Sequence, residues 1–176
     1  NNLTSKNTWS ESELNKTNLN TNFITNIGEE WANKIATTTW KVGGNTYANI
    51  REVVPATVYQ NEIVNPTNKV TYSAKIGLMY ASDYGFAADP SAWTLTMVSY
   101  NISTARENWM CMGLYEWTIS RAADYSNFAF SVYQDGRLSR NRVYDDSAGV
   151  RPSFNLLSSI TYVSGDGTYN NPIRIN

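Results

Sequence analysis

Glu116-Trp117-Thr118-Ile119-Ser120-Arg121, then Phe128-Ala129-Phe130-Ser131-Val132-Tyr133, then Asp135-Gly136 and Leu138-Ser139-Arg140-Asn141-Arg142-Val143-Tyr144 decide the fold. Asp-Gly between two alternating runs is a strong hairpin signal, because the tight turn that matches strand twist needs positive φ at its centre. Strands are therefore expected at 116–120, 128–133 and 138–144. Period-two alternation sets Phe128 and Phe130 on one face and Tyr133 on the other. One face buries; the other presents aromatic area.

Outward from the hairpin, strands are expected at 37–42, ending on Gly43-Gly44, and at 53–63, where Pro55 suits an edge. Others are expected at 75–81, 149–156, 160–163 and 173–175, with Gly165-Asp166-Gly167 as a tight connection, while 88–100 reads as irregular around Trp93. The first 36 residues are helical in spacing. Ser10 is the expected N-cap, with Glu13 three residues on. Leu14, Leu19, Phe23, Ile24 and Ile27 follow in two short helices, and Gly28 opens another with Trp31 and Ile35 at i, i+4. Helices early and antiparallel strands late, with no βαβ alternation, indicate one α+β domain over 1–176, short helices packed on short antiparallel sheets. Trp9, Leu14, Phe23, Trp31, Trp40, Ile76, Leu78, Met79, Trp117, Val150 and Phe154 are its expected core.

Composition excludes several function classes. The 176 residues are 41 % hydrophobic, enough to bury a core, and 14 basic against 15 acidic residues leave a net charge of −1. No global field favours nucleic acid or an anionic membrane. Only 16 % of residues are charged, against 22 Asn, 18 Thr and 17 Ser, a neutral hydrogen-bonding surface commoner outside cells. Without histidine there is no imidazole base, no catalytic triad and no histidine metal ligand. Cys111 is alone, which excludes an internal disulfide and a cysteine-rich zinc site, and its neighbours Trp109, Met110 and Met112 suggest a buried, inert thiol. No apolar run is long enough to span a membrane.

Enzyme constellations are poor, and neither catalysis, a cofactor nor a metal is expected. Asp145-Asp146 lacks the alternating oxygen ligands of a calcium loop, and Gly165-Asp166-Gly167 has no lysine or helix start for phosphate. The informative segment is the hairpin with its flanks. It offers Arg121, Asp124, Tyr125, Ser126, Phe128, Phe130, Tyr133, Arg137, Ser139, Arg140, Arg142, Tyr144, Asp145 and Asp146 as a ligand-binding surface. Tyrosine and arginine among small polar residues are the composition of recognition surfaces. Tyr125, Tyr133 and Tyr144 are the expected aromatic anchors, and Arg121, Arg140 and Arg142 the forked donors. Arg151, between Val150 and Pro152, is expected to be structural, with Asp83 or Glu116 as its partner.

Trp117-Thr118-Ile119-Ser120, the Asp135-Gly136 hairpin and Gly149-Val150-Arg151-Pro152-Ser153-Phe154-Asn155-Leu156 resemble a bacterial and phage domain family with a C-type-lectin-like fold. Lys75 to Gly85, Ser164-Gly165-Asp166-Gly167-Thr168 with Asn171-Pro172-Ile173, Trp40-Lys41-Val42-Gly43-Gly44 and Leu14–Phe23 are similar to the same family. Related chains often follow a pilin-like N-terminal helix, so the resemblance implies a domain separated from such an anchor. Some members are the variable proteins of diversity-generating retroelements, in which template adenines are randomised and Asn codons are the usual targets. Randomising the first two bases of AAY reaches Asp, Tyr, Ser, Arg and Phe, and never Lys, Glu, Gln, Trp or Met. Between Arg121 and Ala148 only Gln134 is of an excluded type; residues 149–176 contain none of the five.

The resemblance thus implies a variable receptor or adhesin at the cell or virion surface, binding protein or other cell-surface ligands. The alternative is an invariant pilus-like or surface structural subunit. The sugar-binding triplets of calcium-dependent lectins are absent, so the fold implies no sugar.

Overall fold

The computed structural model describes residues 6–145 and 147–176. Its strands are β1 (Thr38–Lys41), β2 (Thr71–Ala74), β3 (Glu116–Arg121), β4 (Phe128–Val132), β5 (Leu138–Arg142), β6 (Tyr162–Ser164) and β7 (Arg174–Ile175). They form three small antiparallel sheets, β1-β2, β3-β4-β5 and β6-β7, among short helices, a mixed architecture of the α+β kind. The hairpin forms where Asp-Gly demands it. Gly136 has φ 88°, and the register runs Val132 to Leu138, Phe130 to Arg140 and Phe128 to Arg142. The buried Tyr84 hydroxyl donates to the Gly136 carbonyl at 2.6 Å, which ties the turn to the core.

The three-stranded sheet separates two hydrophobic clusters. Phe130, Val132 and Leu138 join Ile50, Val58, Met79, Tyr84, Met97 and Tyr100 on one side. Trp117 and Ile119 join Trp9, Leu19, Ile35, Trp40, Ile76 and Leu78 on the other. Trp9, Trp40, Ile76, Leu78, Met79 and Trp117 are thus core, and Leu14 and Phe23 pack against it partly buried.

Residues 75–80 belong to no ladder and Ala81 opens a helix over Ala81–Phe86, so the expected strand is absent. Their backbone groups are satisfied piecemeal. Gly77 exchanges two bonds with Ser153, at 2.9 and 3.0 Å, and the Met79 carbonyl accepts from Ile119. The Asn20 side chain stands in for a strand at Ile76, donating to its carbonyl at 3.0 Å and accepting from its amide at 2.9 Å. Asn20 reaches that position from Leu14–Phe23, which winds as a π-helix. Gly77 also lets the Trp40 indole approach; a Cβ there would lie 2.7 Å from the ring.

Other expectations need correction. The cap before Leu14 is Ser12, whose hydroxyl accepts from the Asn15 amide at 3.1 Å, and Ser10 lies within a 3₁₀ turn over Trp9–Glu11. Residues 53–63 are no strand. Val54 and Pro55 start a helix over Pro55–Tyr59 that continues as π-helix through Gln60–Val64. Proline at the first helical position has its missing N–H where none is needed, and Val58 and Glu62 follow Val54 at helical spacing, both buried. Residues 88–100 contain 3₁₀ turns at Pro90–Thr94 and Met97–Ser99. Residues 149–156 form only isolated bridges at Gly149, Ser153 and Leu156, which leaves one side in solvent. Val150 and Phe154 are accordingly 42 % and 40 % exposed, and Trp31, on a six-residue surface helix, is 46 % exposed. Trp109 and Met112 are exposed because their run is a surface turn, held by Asn108; only Met110 is buried, and Cys111 is half-buried.

Candidate functional site

Five of the residues singled out by sequence meet at one end of the central sheet. The register puts Phe128, Arg140 and Arg142 on one face of β4 and β5. Tyr125 enters from the loop before β4, and Tyr144 from the turn after β5. The Arg140 guanidinium lies 4.2 Å from the Tyr125 ring centre and 4.9 Å from that of Phe128. Tyr125 meets Phe128 edge-on at 5.9 Å. Arg142 donates to the Tyr144 hydroxyl at 2.7 Å and lies across from Phe128, which links the two halves.

The loop carrying Tyr125 is held from below by a residue the sequence reading passed over. Asn7 is buried, and its side-chain amide reaches the carbonyls of Ala122, Tyr125 and Phe128 at 2.8, 2.8 and 2.6 Å. Its backbone amide donates to the Ser126 carbonyl at 2.6 Å.

The remaining expected site residues lie elsewhere. Phe130 is fully buried at the centre of β4, so it is scaffold and not surface. Arg121 shares the Trp117 and Ile119 face of β3, and its Nε donates to the Gly43 carbonyl at 2.8 Å, which takes it out of the cluster. Ser139, opposite Ser131, also faces away from Arg140. Tyr133 and Arg137 sit at the turn. There Tyr133 packs edge-on against Tyr115 at 4.7 Å, and Arg137 pairs with Asp135 at 3.3 Å.

The acids serve as local acceptors. Both Asp124 oxygens take the Tyr47 amide at 3.2 Å. Asp145 accepts from the Ser147 hydroxyl and amide and from Asn141; the Ser147 bonds hold its carboxyl below the ordinary range. Asp146 lies outside the described residues.

Two residues join the cluster that the sequence reading missed. Tyr47 opens the helix Tyr47–Arg51, stacks on Phe130 at 6.2 Å, and lies under Arg140 at 4.2 Å; Arg51 approaches the same ring at 5.0 Å. Their i, i+4 spacing was the available signal. Glu62 is also new. It is buried, accepts from the Ser82 amide at 2.7 Å and the Ser120 hydroxyl at 2.5 Å, and burial pushes its pKa up to about 7.

Among the described residues no group of three or more His, Cys, Asp or Glu could hold a metal ion. No helix among them is long and apolar enough to cross a membrane. What the site offers is cationic donors and aromatic faces on a fixed sheet. No protein-family model, curated protein or solved structure matches this chain.

Proposed function

We propose that this domain is a ligand-binding display module with a C-type-lectin-like fold, the variable protein of a diversity-generating retroelement. It works outside the cell or on a virion. It binds protein or other cell-surface ligands through Tyr125, Phe128, Arg140, Arg142 and Tyr144, with no enzymatic step, cofactor or nucleic acid. The carrying observation is the continuous Tyr144–Arg142–Phe128–Arg140–Tyr125 surface, the outer end of the sheet face that Phe130, Val132 and Leu138 bury in the core. Tyrosine and arginine give contact area and directed bonds, and a rigid sheet beneath them limits the ordering cost of binding.

The test is the DNA flanking the coding segment. An imperfect repeat of codons 121–148, differing at adenines, is the expected result; its absence removes the diversified reading. The second reading, an invariant pilus-like or surface subunit, draws support from the β6-β7 ribbon. Tyr162, Val163 and Ile173 are exposed there and Tyr169 is 99 % exposed, apolar area suited to a neighbouring molecule.

A further inference from the structure

Tyr47 carries cations from two separate elements. Arg140, from β5, and Arg51, one turn along the Tyr47–Arg51 helix, place their guanidinium carbons 4.2 and 5.0 Å from its ring centre. Among the described residues neither arginine makes an ion pair; Arg51 Nε and Arg140 Nη1 are buried without an acceptor there, and the other nitrogens of each fork, also unbonded, keep contact with solvent. Of the described carboxylates flanking the hairpin, Asp124 accepts from the Tyr47 amide and Asp145 from Ser147 and Asn141. Arg142, two residues from Arg140 on the same face of β5, adds a third guanidinium.

We infer that this surface recognises an acidic segment of a protein ligand, whose Asp or Glu carboxylates dock against Arg51 and Arg140. Tyr47 and Arg51 then belong to the binding surface although they lie far from the hairpin in sequence. The inference rests on the proposed binding role of that face. A planar fork of donors matches a carboxylate, and the solvent-facing nitrogens of each fork are the ones an arriving carboxylate meets. The aromatic faces beside the forks suit a polypeptide, and a chain of net charge −1 has no long-range attraction for a polyanion.

The experiment is panning of a random peptide library on the whole domain. Enriched peptides carrying paired Asp or Glu are expected. Their affinity should fall about tenfold or more in Arg51→Gln and in Arg140→Gln, and Arg51→Lys should not restore it, because an ammonium lacks the fork. Neutral enriched peptides whose binding is lost in Tyr144→Ala would overturn the acidic ligand and leave the display role intact. No enrichment at all would overturn both. Acidic peptides indifferent to Arg51→Gln, or tighter binding to vesicles of anionic phospholipid than to any peptide, would also overturn it. Should the arginine variants fail to fold, salt dependence of peptide binding to the unaltered protein decides: affinity unchanged by salt overturns the inference.

Discussion

Arg151 grips Glu116 with two nitrogens, Nε 2.7 Å from Oε1 and Nη2 2.7 Å from Oε2. Nη2 also donates to the Met110 carbonyl at 2.6 Å, so one guanidinium fastens the Gly149–Leu156 segment to β3 and to the turn before it. Asp83, the other expected partner, instead accepts from the Tyr80 amide at 2.8 Å. Glu116 is buried, and burial raises its pKa against the pull of Arg151. Arg151→Ala leaves that carboxylate unpaired and should cost about 3 kcal/mol. In a chain of this length that lowers Tm by about 6–12 °C in calorimetry. A Glu116→Gln, Arg151→Met double variant should recover part of the loss, since neither partner then stays charged and alone.

Glu62 predicts a pH dependence of opposite sign to the usual carboxylate case. Its folded pKa is about 7 against an ordinary 4.5, so the folded state holds the proton more tightly. Its contribution is most favourable below the ordinary value and worsens as pH rises towards 7, by about 3 kcal/mol in total. Glu62→Gln should abolish that component. Gln can still accept from the Ser82 amide and can donate to the Ser120 hydroxyl. Urea unfolding from about pH 5 to about pH 8 should show the variant gaining on the parent as pH rises. Parallel curves would refute the assignment.

The hairpin was legible because Asp135-Gly136 constrains backbone torsion locally, and alternation around it fixes which side chains are buried. The 53–63 segment was not. Val53, Val54, Val58 and Ile63 fit both an alternating and a helical pattern, and Pro55 settles the matter only if it is taken as a first helical residue. Residues 75–81 have a strand's alternation because Leu78 and Met79 serve opposite clusters, but their hydrogen-bond partners come from Asn20 and Ser153, which no local pattern announces. Tyr125 and Arg140 were found by type; Tyr47, Arg51 and Asn7 depend on long-range contacts.

Tyr125 and Tyr144 are 47 % and 42 % exposed, whereas Phe130, paired with Arg140 across the hairpin, is fully buried in the core. Alanine at either tyrosine should weaken ligand binding while moving stability by less than about 1 kcal/mol. Phe130→Ala should cost about 3–5 kcal/mol through the cavity it leaves. Thermal melts beside a binding assay separate the two outcomes. Unfolding by the tyrosine variants would make them scaffold.

Asn7→Ala removes the donor shared by three carbonyls beneath the Tyr125 loop. The expected cost is about 1–3 kcal/mol, felt locally first. Amide exchange at Ala122 and Tyr125, which donate to the Phe128 and Ala122 carbonyls, should accelerate before the amides of Phe130 and Val132 within β4 do. Uniform acceleration would show that Asn7 supports the whole fold.

The central sheet that parts the two clusters also bears on inheritance. Phe130, Val132 and Leu138 face one cluster, and a change at any of them would loosen the hairpin whose outer end carries Phe128, Arg140 and Arg142 on the same face. In the genetic code the codons for Phe, Val and Leu all carry thymine at the second base and no adenine at either of the first two. A mutator that acts on adenines cannot alter the first two bases of such codons. If the template writes these three residues, the nucleotides that make the buried end of the face apolar also exempt it from change, while Asn codons at positions 125, 140, 142 and 144 would leave its exposed end open to revision.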